Sequence, residues 1–253
     1  MARGRPLILL SNDDGFRAQG LFVLKRALGA DADVVVCAPE TEQSVSSHAL
    51  TLTRPLRLKD HGDGVFSVDG TPADCVYVAL NAKDRILPRA PDVVVSGLNH
   101  GLNLGTDVFY SGTVAAAREG ALRGFPALAV SAAGGVDLEA AGQVVRRLVL
   151  GLLEEEPRAA LFNVNFPPGS AWPVLATCLG TRLYTDAVDF RHDPRGNEYL
   201  WLGGPGAEHR PKPGSDTDAY DAGAVGITPL VLDLFRTQDS EVAARVARRA
   251  ANG

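Results

Sequence analysis

Little in this chain points to a stapled, metal-thiolate or membrane-bound protein. Of its 253 residues only three are cysteine, Cys37, Cys75 and Cys178, far apart and without a CxxC pair. An odd, scattered count excludes a disulfide framework and a thiolate zinc site, and suits reduced thiols. No apolar run approaches the roughly 20 residues a spanning helix needs. The apolar patch at residues 7–10 follows Arg3 and Arg5, but it is too short for a leader and runs straight into Asp13 and Asp14. A basic surplus is also lacking: 25 Lys and Arg against 30 Asp and Glu leave a formal net charge of −5. That argues against a nucleic-acid polymer as partner, while leaving room for a small phosphate ligand. These absences predict a soluble, cytoplasmic protein with no membrane partner.

Familiar catalytic signatures are missing as well. There is no Walker A pattern and no G-x-S-x-G elbow, so a P-loop and a Ser-His-Asp hydrolase are disfavoured. The glycines and asparagines of residues 97–105 make no convincing dinucleotide fingerprint. The histidines, His48, His61, His100, His192 and His209, show no helical ligand spacing. Each by default has a surface or hydrogen-bonded role, though His100 lies next to the site proposed below.

What is present is an ordinary globular balance, 45% hydrophobic and 22% charged, in a length that suits one large domain. Short apolar runs at residues 7–10, 34–38, 93–95, 127–130 and 161–164 read as buried parallel strands. Helical spacing fills the gaps at residues 20–28, 113–122 and 138–153. Alternating strands and helices imply right-handed crossovers and a parallel sheet covered on both faces. Residues 51–68 read as an extended hairpin beside the sheet, and Gly70-Thr71-Pro72-Ala73-Asp74 as a turn opening a helix. Residues 179–213, with Tyr184, Phe190, Tyr199 and Trp201, read as a long β-excursion. A tail follows from residue 229, and its stretch from Asp239 to Ala251 has the pattern of a short amphipathic helix. The expected fold is a single α/β domain over residues 1–253. It is a Rossmann-like three-layer fold with a mostly parallel sheet, a protruding β-hairpin excursion and a C-terminal tail.

In such sheets ligands bind beyond the carboxyl ends of the strands. Those ends are oxygen-rich here: Ser11-Asn12-Asp13-Asp14-Gly15, then Ser44, Ser46, Ser47 and His48, then Ser96 to Asn103, then Ser131, then Asn163 and Asn165. The bland account of Asp13-Asp14 is a helix cap with a solvated neighbour. The sharper one is a carboxylate pair held by a cation. Asp, Ser and Asn supply hard oxygen donors that suit Mg²⁺, Mn²⁺ or Ca²⁺. Ser111-Gly112-Thr113 leads into the alanine-rich helix, where free amides and hydroxyls can hold a phosphate; ordinary capping by Ser111 or Thr113 is the plainer alternative.

Taken together, these stretches resemble the SurE family, stationary-phase survival proteins that act as 5'/3'-nucleotidases. The resemblance rests on Ser11 to Gly15, Ala38-Pro39 with Ser44, Gly70 to Val76, Ser96 to Gly105, Tyr110 to Ala117, Asn163 to Pro167 and Thr228 to Leu230. It implies a cytoplasmic phosphomonoesterase with one divalent ion per subunit, Mg²⁺ or Mn²⁺. The substrate would be a nucleoside 5'- or 3'-monophosphate, with short polyphosphate as a further substrate. It implies metal ligands at Asp13, Asp14, Ser44 and Asn99, catalytic roles for Asp13, Asp14 and Asn99, and phosphate contacts from Ser44, Asn99, Ser111, Gly112 and Thr113. It also implies a homodimer or homotetramer. The chain departs from the family pattern at Val45-Ser46-Ser47-His48, at Ala224 after Gly223 and at Gly226, which bears on substrate preference. Two rivals stand beside this reading. One is a nucleotide-binding α/β module without turnover; the other is an amidohydrolase acting on a nucleoside.

Overall fold

A computed structural model describes residues 4–155, 160–184, 188–203 and 207–251. Along the chain run β1 (Leu7–Ser11), α1 (Gln19–Leu28), β2 (Asp33–Pro39), β3 (Leu58–Asp60), β4 (Val65–Val68) and α2 (Pro72–Asn81). Next come β5 (Val93–His100), α3 (Gly112–Leu122), β6 (Ala127–Ala132), α4 (Leu138–Glu154), β7 (Leu161–Phe166) and β8 (Val174–Ala176). The chain closes with β9 (Arg182–Tyr184), β10 (Val188–His192), β11 (Glu198–Leu202), β12 (Ala207–His209), α5 (Asp216–Asp221), β13 (Val225–Leu230) and α6 (Ser240–Ala251).

Among the described residues, nine strands form one sheet in the order β3-β4-β2-β1-β5-β6-β7-β13-β8. The central strands pair in parallel, while β3 and β13 run antiparallel to β4 and β7. Their near-continuous apolar sequences suit strands covered on both faces. Alternation sends Ile8, Leu10, Val93 and Val95 into one core with Leu21, Leu24 and Leu28 of α1 and Val144 and Val145 of α4. It sends Leu7, Leu9, Val94 and Ala127 into a second core with Val76 and Ala79 of α2 and Val114, Ala117 and Ala121 of α3. Three layers result, as the spacing predicts.

The order reverses between β1 and β5: β2 lies on one side of β1, and β5 on the other. That switch point opens a crevice at the carboxyl ends of both strands. The expected hairpin at residues 51–68 is narrower, β3 and β4 alone, and β4 extends the sheet in parallel beside β2. The tail also begins later than residue 229. Pro229 and Leu230 belong to β13, which pairs with β7 inside the main sheet, so the free tail starts after Leu230. The excursion stands apart as two small sheets, β9 with β12 and β10 with β11.

Candidate active site

Helix α3 begins beneath the crevice. Ser111 is its N-cap, and the Ser111 hydroxyl accepts from the Val114 amide at 3.0 Å. The plainer account of Ser111 therefore holds for its side chain. The first-turn amides of Gly112 and Thr113 have no intrahelical acceptor, and they sit at the positive end of the helix. Gly112 must be glycine for space: a Cβ there would lie 2.8 Å from Ser46 Oγ and 2.9 Å from Asp13 Cβ. The helix start is thereby pressed against the acidic turn.

Asp13 is buried, and its Oδ1 accepts from Thr113 Oγ1 at 2.5 Å. A hydroxyl has one proton, so Thr113 in this arrangement serves the carboxylate and not a ligand oxygen. Burial pushes the Asp13 carboxyl up to about 6, with the like charge of Asp14 adding and the Thr113 hydrogen bond opposing. Asp14 faces the other way. Its Oδ2 accepts from the His100 amide at 3.1 Å, and burial raises its pKa too, with the charge of Glu42 contributing. Asn99 Nδ2 donates to the Gly101 carbonyl at 2.9 Å. Among the described residues, each of the three side chains thus spends one polar atom on the protein and keeps one oxygen without a hydrogen-bond partner: Asp13 Oδ2, Asp14 Oδ1 and Asn99 Oδ1. Two repelling carboxylates with a neutral amide oxygen suit a hard divalent cation. Among the described residues no cluster of three His, Cys, Asp or Glu offers a rival metal site.

Ser44 sits less centrally. It is exposed, and its hydroxyl donates to Glu42 Oε1 at 2.6 Å. Its loop is nonetheless bound to the site. The Gln43 amide donates to the Asp13 carbonyl at 2.8 Å, and the Ser47 amide and hydroxyl donate to the Tyr110 and Phe109 carbonyls. Val45 and Ser47 hold φ of 56° and 50°, a region rare for residues with a Cβ. His48 Nε2 meets the buried Glu119 of α3 at 2.9 Å. Ser46 Oγ is buried beside Gly112 and makes no hydrogen bond among the described residues. Its place against Asp13 was not foreseeable, because it depends on those two unusual backbone angles.

A second tier fixes the β5 end. Asn103 Nδ2 donates to Ser131 Oγ, and its amide to Asn165 Oδ1, while Asn163 and Asn165 donate to the Asn103 carbonyl. The buried Asp216 of α5 accepts from the Gly105 amide at 2.8 Å and the Gly180 amide at 2.7 Å. The strand-end asparagines expected near the site therefore act as scaffolding for the loop that carries Asn99. Asp216 was missed, and its only signal was a Ser215-led helix start.

The fold and site define a doubly wound α/β protein with a carboxylate pair at its topological switch point, opposite a helix N-terminus. Comparison with known proteins narrows this. The family model described as Survival protein SurE matches residues 8–186. A protein of Sorangium cellulosum named 5'-nucleotidase SurE is 59% identical over 254 residues, covering 98% of each chain. A Vibrio cholerae protein of the same name is 45% identical over 231 residues, covering 90% of this chain and 92% of its own. The crystal structure of the SurE protein from Aquifex aeolicus superposes with a TM-score of 0.84 at 36% identity, covering 96% of this chain and all of that one. This chain belongs to the SurE family.

Proposed function

We propose that the chain is a divalent-metal-dependent phosphomonoesterase that hydrolyses nucleoside 5'- and 3'-monophosphates to nucleoside and phosphate. Relatives that match nearly its whole length carry the name 5'-nucleotidase SurE. The observation that bears the weight is the pair Asp13 and Asp14, each anchored through one oxygen with the other left over, Asp13 at the start of α3 and Asp14 at the end of β5. Asp13, Asp14 and Asn99 would hold one Mg²⁺ or Mn²⁺, with Ser44 joining if its loop shifts from Glu42. A divalent cation there supplies Lewis-acid stabilisation of developing negative charge. The Gly112 and Thr113 amides hold the non-bridging phosphate oxygens, and their donors are fixed before the reaction begins. Thr113 keeps Asp13 oriented, and Ser111 keeps the helix start formed. Water adds to phosphorus and the ester oxygen leaves with the nucleoside.

The excursion and the tail bear on assembly. Phe190, Trp201, Leu202 and Phe235 are exposed, and α6 buries none of its residues. Such faces suit a homodimer or homotetramer. Among the described residues no helix is long and apolar enough to cross a membrane, in keeping with a cytoplasmic enzyme. The test is phosphate release from mononucleotides and from tripolyphosphate, with and without EDTA. Chelation should abolish turnover, and Mn²⁺ or Mg²⁺ should restore it. Full turnover by protein shown to be metal-free would refute the reading, and release of free base in place of phosphate would favour the amidohydrolase.

A further inference from the structure

One cavity extends from Asp14 and Asn99 away from the start of α3. It encloses about 250 Å³ on the α1 and α4 side of the sheet. Its rim is Asp14 and Asn99, so whatever enters it is continuous with the site. Its walls are small or apolar, with Gly20, Leu98, Ala132, Ala133 and Leu138. The absence of a side chain at Gly20 is required, because a Cβ there would run into the Leu98 carbonyl oxygen. Beyond the rim, two polar side chains line it, Gln19 at the first position of α1 and His100 at the end of β5. Neither side chain makes a hydrogen bond within the chain among the described residues.

The two aspartates divide the space. Asp13 turns to α3 and the phosphate-facing amides, and Asp14 turns to β5 and this cavity. A phosphomonoester anchored between them has its phosphate on the α3 side and its leaving group on the cavity side. The volume falls below the roughly 300–1,000 Å³ of pockets that bury a drug-sized ligand, so one ring system fits and a whole nucleotide does not. Small and apolar lining residues leave room for a heteroaromatic ring. A carboxamide carries both a donor and an acceptor, which is what reading the edge of such a ring requires.

The geometry points to this cavity as the nucleobase site of the mononucleotide substrate, with Gln19 as a specificity-determining residue. The inference rests on the nucleotidase reading and adds to it where the leaving group lies and which side chain reads it. Filling the cavity should hurt substrates that carry a base more than those that carry none. Changing Gln19 should alter the ranking among bases, since a polar edge left unmatched is what separates near-identical ligands.

The experiment measures kcat and KM for adenosine, guanosine, cytidine and uridine 5'-monophosphates and for methyl phosphate, which has no base. Wild type is compared with Ala133→Leu and Gln19→Ala, each with saturating Mn²⁺. For Ala133→Leu, the ratio of nucleotide to methyl phosphate kcat/KM should fall roughly tenfold or more, mainly through KM. For Gln19→Ala, the spread among the four bases should change by at least about threefold. Gln19 is exposed, so that variant stays informative should Ala133→Leu fail to fold. Ratios and ranking within twofold of wild type would overturn the assignment. Wild-type protein that releases phosphate from methyl phosphate and from no nucleotide would instead overturn the nucleotidase reading beneath it.

Discussion

The body of the molecule and its excursion handle apolar surface in opposite ways. In the central sheet Leu9, Val94 and Ala129 are all 0% exposed, sealed between helices. In the excursion every residue of β10 and β11 is exposed, with Phe190 at 59% and Trp201 at 62%. A two-stranded hairpin is marginal by itself, and so is a free helix of the length of α6. The proposed chemistry sits on strand ends and a helix start that the core holds still, and the excursion presents area that lacks a partner among the described residues. The two are not independent. Asp107, just before the turn that opens α3, accepts from both Arg182 and Tyr184 of β9, while its carbonyl accepts from the Ser111 amide. Asp216 likewise bridges Gly105 of the body and Gly180 at the root of the excursion.

The sharpest division between these regions should come from Asp13→Asn. Loss of an outer-shell partner of a metal costs about 10–100-fold, and loss of a ligand should cost more. Phosphate release should therefore drop by more than about 100-fold, with metal affinity lowered in a direct titration and far-ultraviolet circular dichroism unchanged. Activity within tenfold of wild type would remove Asp13 from the site.

Thr113→Val should have the next largest effect. It keeps shape and removes the side-chain hydrogen bond to the Asp13 carboxylate. A loss of roughly 10–100-fold is expected, appearing chiefly as weakened metal binding and partly recovered at high Mn²⁺. A pure kcat loss that excess metal leaves untouched would instead assign the hydroxyl to the phosphate.

Much of this body was legible beforehand, because its strands are short apolar runs and its helices repeat apolar residues at helical intervals. Asp13, Asp14 and Asn99 were legible as strand-end oxygens, and their partners in the fold were not. Thr113 reads as a cap or a phosphate donor, and its bond to the Asp13 carboxylate appears only once α3 packs on β5 and β6. The strand β13 escaped notice because Gly226 and Pro229 interrupt its apolar pattern, and it runs antiparallel to β7 in an otherwise parallel half. The Asp216 contact to Gly105 spans 111 positions, so no local pattern announces it. In the excursion the aromatics were visible, but a sequence does not say whether such residues face inward, and here they face out.

Replacing those aromatics probes the other side of the comparison. Phe190→Ser with Trp201→Ser removes apolar area from an exposed hairpin and touches neither core. Light scattering at micromolar concentration should show a shift toward smaller species, since truncated Trp anchors commonly cost 2 kcal/mol or more at interfaces. Phosphate release per chain should stay within about threefold, because neither residue contacts the acidic turn. An unchanged assembly would leave the excursion without its proposed partner, and a collapse in activity would show that Asp107 transmits the state of the excursion to the site.

The smallest effect, and the most direct reading of energy stored in the body, is the stability of metal-free Asp13→Asn. The Asp13 carboxyl is raised from 3.8 to about 6, chiefly by burial. A carboxyl with a raised folded-state pKa stabilises the fold fully below its unfolded value, near 3.8, and that contribution is lost as pH rises through about 6. At pH 7.5 the ionised, desolvated group therefore opposes folding, and asparagine of nearly the same shape does not. Its amide oxygen can still accept from Thr113. A shift of this size corresponds to about 3 kcal/mol at most, and each kcal/mol moves Tm by about 2–4 °C in a chain of this length. In EDTA at pH 7.5 the variant should melt roughly 5 °C above wild type, and the gap should close by pH 4. Changes in the excursion should show no such pH dependence, as Phe190 and Trp201 do not titrate. If Asp13→Asn melts lower than wild type at pH 7.5, contacts made by the charged carboxylate outweigh its burial, and the acidic turn is held by the fold without needing a cation.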